Sequence, residues 1–394
     1  MDRPHLRRLA LSVALAGTLL LASCGGGGGD QTPAAPPAFP PSSTLANICT
    51  LEGQKGFVRS FLDETYLWYD EVPTLNSASY ATVADYFNAL LVKPKDRFST
   101  VLPANIANAL QSAPGGSLMD GVPGHLLAAS GNSVPLTRVV ASSSGRRVGY
   151  ILFNDHSQGA QDQLIAAFET LRNTGVDDLV LDMRYNTGGF LYVAQAAASM
   201  VTGPGSQGRI FEQLRFSAKR QADTAASTYV FSSKVQTPET LYPRDSQLPQ
   251  LNLPRLYVLS SGQTCSASES IINSLRGIDV EVILVGGTTC GKPYGFHRQD
   301  NCGLAFFALE FQGYNAKNFG DYTGGFAATC PVTDSLTSTL GTTTEPLLAA
   351  ALHHIDTGSC PAPAASRVAK GLPDVFRQNA PLGTGQPLDG RVLK

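Results

Sequence analysis

Three short segments of the chain hold residues whose types and spacing could do chemistry. The first is Leu181-Asp182-Met183-Arg184-Tyr185-Asn186-Thr187-Gly188-Gly189, an apolar run that ends in a paired glycine turn. Glycines at such a place let backbone N–H groups come close to a substrate oxygen. The second is Ser260-Ser261-Gly262-Gln263-Thr264-Cys265-Ser266-Ala267-Ser268-Glu269, where small residues crowd the start of a helix. A serine there either caps the helix or sits where the helix dipole stabilises developing negative charge. The third is Gly286-Gly287-Thr288-Thr289-Cys290-Gly291-Lys292-Pro293, which falls one residue short of the GxxxxGK[ST] phosphate loop. Pro293 stands where that loop needs a magnesium-binding hydroxyl, and Tyr294-Gly295 do not start a helix, so a nucleotide loop is excluded. A lysine in a glycine-rich loop can instead serve as a base, because partial burial disfavours its charged form. Taken singly, the three are a turn, a helix cap and a surface lysine. Taken together they supply a nucleophile, its base and oxyanion donors.

Each segment follows an apolar run that reads as a strand: 178–183, 255–260 and 280–285. Ligand sites of open α/β sheets lie outside the carboxyl ends of strands, so the three ends point at one place. Further strands are expected at 148–153 and 304–311, and helices at 161–171, at about 190–201, around Ile271, Ile272 and Leu275, and at 345–355. Strands alternating with helices predict an α/β fold with a largely parallel sheet. Upstream, Phe57, Val58, Phe61, Leu62, Leu67 and Trp68, then Val83, Phe87, Leu90 and Leu91, recur at helical spacing. They predict a small helical domain over 46–100. Residues 101–146 offer a short strand at 136–141 at best, and 361–394 reads as an irregular tail.

At the three segments the sequence resembles the C-terminal processing (tail-specific) peptidases, serine proteases with a Ser–Lys dyad. The resemblance rests on Ser266-Ala267-Ser268-Glu269, on Gly291-Lys292 and on the segment from Asp182 to Gly189, and extends over roughly 147–360. Tyr66-Leu67-Trp68-Tyr69 and Asp96-Arg97-Phe98-Ser99 also resemble the bacterial lipoprotein members. The resemblance implies a crotonase-like core over 147–360, with Ser266 as nucleophile and Lys292 as general base. It puts the oxyanion hole on the backbone of Ala267 and of the Gly188-Gly189 turn. It implies protein or peptide substrates and no metal or cofactor. The sequence departs from the family in two ways. A PDZ domain of about 80–100 residues usually stands between the helical part and the core, where it binds peptide C-termini by strand addition; here only a short remnant, 101–146, fills the gap. Many members also place a glutamine four positions after the lysine to orient it, and here that residue is Phe296.

The N-terminus sets the expected compartment. Arg3, Arg7 and Arg8 precede an apolar run, 9–22, shorter than the roughly 20 residues that span a bilayer. It reads as a lipoprotein signal peptide over 1–23, and Leu21-Ala22-Ser23-Cys24 resembles a bacterial lipobox with Cys24 as the acylated residue. Residues 24–45, rich in Gly and Pro, read as a tether. The expected location is the cell envelope, lipid-anchored and facing the periplasm or exterior. The other six cysteines suit an oxidising compartment and up to three disulfides. A dyad within hydrogen-bond reach would bring Cys265 and Cys290 to bridging distance, leaving Cys302–Cys330 and Cys49–Cys360 as the remaining pairs. With Lys+Arg 29 against Asp+Glu 31, no basic excess exists for phosphate contacts, so a nucleic-acid partner is not expected. The absence of CxxC and HExxH argues against the common zinc sites. Two other readings compete: a non-catalytic peptide-binding lipoprotein that keeps the fold, and a Ser–His esterase using His297.

Overall fold

Apolar strands with covered faces dictate the centre of the molecule. In the computed structural model, which describes residues 39–112, 132–335, 338–362 and 391–392, the first elements are α1 (Ser42–Leu45), α2 (Leu51–Thr65), α3 (Val83–Leu90), β1 (Thr100–Pro103) and α4 (Ala104–Ser112). Then follow β2 (Leu136–Ala141), β3 (Arg147–Leu152), α5 (Ala160–Thr174), β4 (Asp178–Asp182) and α6 (Leu191–Val201). Next come β5 (Ile210–Phe216), α7 (Gln221–Ala226), β6 (Thr228–Val230), β7 (Arg255–Ser260), α8 (Ala267–Gly277) and β8 (Glu281–Gly286). The last are β9 (Tyr294–Phe296), β10 (Gln299–Asn301), β11 (Leu304–Phe307), β12 (Phe311–Tyr314), β13 (Cys330–Pro331), α9 (Pro346–Thr357) and β14 (Arg391–Val392).

The central sheet has the order β13-β8-β7-β4-β3-β2, and all neighbours are parallel except the antiparallel β2–β3 pair. Every residue of β4 is buried, as a parallel strand covered on both faces requires. Alternate residues go to opposite faces. Leu179, Leu181, Leu256 and Val258 pack with α5, α6 and α8, while Val180, Tyr257 and Leu259 pack with Leu348, Ala351 and Ile355 of α9. Each such aliphatic side chain contributes roughly 1.5–3 kcal/mol of burial. Register puts Asp182 beside Leu259 and Ser260 beside Gly286. The carboxyl ends of β4, β7 and β8 therefore open at one edge of the sheet, and the three chemical segments leave from there.

Two smaller sheets flank this layer: β14-β9-β12-β5-β6 and β1-β11-β10. They change several expectations. The run 304–311 is not one strand. It divides between two sheets, because Leu309 N–H donates to Ser99 Oγ (2.9 Å) and its carbonyl accepts from Leu67 N–H (2.8 Å). Strands β5 and β6 have no counterpart in the sequence reading. Residues 46–100 do not form a core of their own. Phe57, Phe61 and Phe87 pack on Phe306 of β11 with ring centroids 6.0, 6.3 and 5.5 Å away. The same cluster takes in Tyr294, Phe296, Phe307 and Leu309. The end of the expected tether is also structured: α1 lies within 24–45, and Ser42 N–H donates to Glu64 Oε1 at 2.7 Å. Residues 1–38, with the expected signal peptide and Cys24, and most of the expected tail lie outside the described residues. No helix among the described residues is long and apolar enough to cross a membrane.

Three disulfides are present among the described residues: Cys49–Cys302, Cys265–Cys290 and Cys330–Cys360. The expected pairs Cys302–Cys330 and Cys49–Cys360 are wrong, and the topology shows why. Cys302 sits in the turn between β10 and β11, beside the start of α2, where Asn47 N–H donates to the neighbouring Asn301 at 2.8 Å. Cys330 lies in the edge strand β13 of the central sheet, and Cys360 follows α9, which packs on that sheet. The two ends of each expected pair thus sit on different layers.

Candidate active site

A buried cation anchors the first segment. The Arg184 guanidinium donates to Asp182 (2.9 and 2.8 Å), to Glu345 (2.8 and 3.1 Å) and to Asp334 (2.7 Å), while Tyr150 OH donates to Asp182 at 2.6 Å. Arg184, Asp182 and Glu345 are fully buried. Burial pushes the Glu345 carboxyl up and the guanidinium pushes it down, and the guanidinium prevails. A buried ion cluster satisfied on every side holds the chain leaving β4 in one conformation.

That chain enters the glycine turn, with φ of 104° at Gly188 and 136° at Gly189. A Cβ on Gly188 would lie 2.9 Å from Cys265 O and 3.0 Å from Ser266 Cβ, so only glycine lets this turn press on the serine segment. Asn186 joins the two. Its Oδ1 accepts from Gly188 N–H (3.0 Å) and its Nδ2 donates to Phe153 O (3.0 Å). Its own carbonyl accepts from Cys265 N–H (3.1 Å) and Ser268 Oγ (3.0 Å). His156 Nδ1 lies 3.0 Å from the same Oδ1, so Nδ1 carries the proton, and His156 N–H donates to Gly188 O at 3.1 Å. Burial drives the His156 pKa down to about 3, against the opposing pull of Asn186, so the ring is neutral.

Ser266 stands at the N-terminus of α8 with φ 56° and ψ −112°, a conformation a serine holds only when its surroundings enforce it. It is fully buried, and its hydroxyl has no hydrogen-bond partner among the described residues. Lys292 is fully buried too, and its Nζ lies 4.9 Å from the ring centroid of Phe98 and 5.1 Å from that of Phe296. The Glu269 carboxylate ties the two segments together. One oxygen accepts from Ser266 N–H (3.0 Å) and Lys292 N–H (2.8 Å), the other from Gly291 N–H (2.9 Å) and Thr289 Oγ1 (2.6 Å). Burial raises the Glu269 pKa in spite of these bonds. The Cys265–Cys290 disulfide makes a second tie, with Cα atoms 5.2 Å apart.

The structure thus gathers Ser266, Ala267, Gly188, Gly189 and Lys292 at the shared edge of the sheet. The Gly188 amide is already bonded to Asn186, whereas among the described residues the Gly189 and Ala267 amides have no such acceptor. His297 Nδ1 lies 2.9 Å from Glu310, and among the described residues no hydrogen bond joins the His297 ring to the Ser266 hydroxyl. Among the described residues two clusters have metal-like spacing, Cys265/Glu269/Cys290 and Cys330/His354/Cys360. In each the two cysteines are bonded to one another and offer no thiolate. Sequence reasoning did not assign roles to Asn186, His156, Glu269 or Phe98. Of these, Glu269 had a signal, a carboxylate three residues after a helix-capping serine.

Residues 147–319 match the model of Peptidase family S41, and residues 53–100 match the Peptidase S41 N-terminal domain. A carboxyl-terminal-processing protease from Picosynechococcus sp. (strain ATCC 27264 / PCC 7002 / PR-6) is 28% identical over 181 residues, which is 45% of this chain and 38% of that protein. The alignment therefore spans well under half of the relative's length. A crystal structure assigned to the S41 proteases, from Bacteroides fragilis NCTC 9343, has the same fold with a TM-score of 0.58 at 21% identity, covering 77% of this chain and 97% of the other. The chain belongs to peptidase family S41.

Proposed function

We propose that the protein is a serine endopeptidase of exported proteins or peptides, with Ser266 as nucleophile and Lys292 as its base. One observation carries the reading: an unpartnered, buried Ser266 hydroxyl on a strained turn, tied through one carboxylate to the segment of a fully buried lysine. Ser266 Oγ attacks the scissile carbonyl while its proton passes to neutral Lys292 Nζ. The Ala267 and Gly189 amides receive the oxyanion, and Gly188, whose own amide is engaged, shapes the turn. The lysine then protonates the leaving amine, and water resolves the acyl-enzyme. The N-terminal features support a lipid anchor at Cys24 in the cell envelope.

Cleavage of a panel of unfolded proteins tests this. Ser266→Ala and Lys292→Ala lower the rate at least ~10²-fold without unfolding the chain. Lys292→Arg fails as well, because a guanidinium does not give up its proton. Activity rises with pH as the lysine loses its proton. A Lys292→Arg variant with wild-type activity would falsify the dyad. A silent wild type whose Ser266 ignores a fluorophosphonate probe would favour the non-catalytic binding protein instead.

A further inference from the structure

We propose that Phe98 and Phe296 form an aromatic clamp that orients the Lys292 side chain and keeps water from its amine. The inference rests on the Ser–Lys reading above and concerns how that lysine is prepared. The resemblance assigns the orienting task to a glutamine at the position of Phe296, which this chain lacks. In its place two rings flank Lys292 Nζ, at 4.9 Å and 5.1 Å from their centroids.

The rings come from distant parts of the chain, and each is fixed. Phe296 lies in β9, buried, with its ring edge-on to Phe307 at 5.3 Å. Phe98 lies just before β1 and is half-buried. The buried Asp96 carboxylate accepts from the N–H groups of Phe98 (3.0 Å) and Ser99 (2.8 Å), and from Tyr66 OH (2.7 Å). Arg97 donates to Thr323 O at 3.1 Å, the carbonyl against which Gly291 packs. The segment Asp96-Arg97-Phe98-Ser99 thus carries the N-terminal helical region onto the lysine and gives it one wall of the site.

A ring face attracts an ammonium, which favours the protonated lysine by roughly one pKa unit. Removal of water disfavours the ammonium by up to ~3–5 units for a fully buried amine. Exclusion outweighs attraction, so the clamp favours the neutral base. The titratable and charged groups that the described residues place around it include Glu269 at the Lys292 backbone, Asp96 with Tyr66, and Arg97 beside Phe98. Tyr294 lies on β9, and Glu310 with Arg220 and His297 lies beyond it. Ring substitutions leave all of these in place.

The test is the pH dependence of kcat/KM and of fluorophosphonate labelling for wild type, Phe98→Ala and Phe98→Leu, with Lys292→Ala alongside. Phe98→Ala admits water, so the rise with pH moves up by roughly one unit. The rate at neutral pH then falls about tenfold and recovers at alkaline pH. Phe98→Leu keeps the apolar bulk and moves the profile less, and it retains the test if the alanine variant loosens the fold. A loss that is uniform at every pH, or a profile that stays put in both variants, overturns the clamp while the dyad stands. Activity that survives Lys292→Ala removes the dyad and the clamp with it.

Discussion

Ser266 stores backbone strain of about 1–3 kcal/mol, and the residues around it hold that strain in place. Glu269 takes its N–H, Gly188 presses on its Cβ, and Asn186 takes the N–H of Cys265 before it. His156 stands one step behind, as a neutral ring on Asn186. This has a consequence for stability. The folded chain keeps His156 unprotonated down to about pH 3, whereas its ordinary pKa is 6.5. The unfolded chain therefore binds a proton that the folded chain refuses, and stability falls as pH drops from 6.5 toward 3. Each pH unit well inside that window costs about 1.4 kcal/mol. His156→Gln keeps a donor toward Asn186 without titrating. Urea unfolding at pH 7 and pH 5 should show the wild type losing about 2 kcal/mol more than His156→Gln. Equal losses would remove His156 from the account of acid sensitivity.

Among the elements, α2 and α3 depend on β11. Their apolar faces close on Phe306, which three rings of the helices touch. The Cys49–Cys302 disulfide ties the same two regions across 253 residues of sequence. Phe306→Ala should cost roughly 3–5 kcal/mol by leaving a cavity at that junction, read as a lowered denaturant midpoint. It should also make residues 46–100 the first to be cut in limited proteolysis. A cost below ~1 kcal/mol would mean that the helices carry a sufficient core of their own.

At the scale of the whole molecule, the question is how substrates are chosen. On the proposed function, a PDZ domain would give a peptidase a second hold on the C-terminus of its substrate, raising the local concentration at the active site. The stretch 101–146 is shorter than the roughly 80–100 residues such a domain takes, and its described parts form β1, α4 and β2. Strand β2 is already committed as the antiparallel edge of the central sheet. Cleavage should therefore follow the sequence around the scissile bond and the unfolding of the substrate. A matched peptide pair with free and amidated C-termini should be cut at rates within about twofold. Cleavage of the free acid alone would show that the chain reads C-termini by another surface.

The sequence by itself determined what depends on near neighbours along the chain. Strands β4, β7 and β8, the helices after β4 and β7 and the glycine, serine and lysine segments were legible, because periodicity and turn chemistry act over a few residues. The Cys265–Cys290 bridge was legible once the two segments were taken to meet. Only the tertiary structure decided the rest. Cys302 meets Cys49 because the β10–β11 turn lies beside α2, a fact no spacing encodes. The run 304–311 reads as one apolar strand, and only the Ser99 and Leu67 contacts break it in two. The partners of the lysine come from Phe98 and from Glu269, far from each other in sequence. Burial, close approach and shared hydrogen bonds belong to pairs of residues brought together by folding, and local pattern carries no record of which distant residue completes the pair.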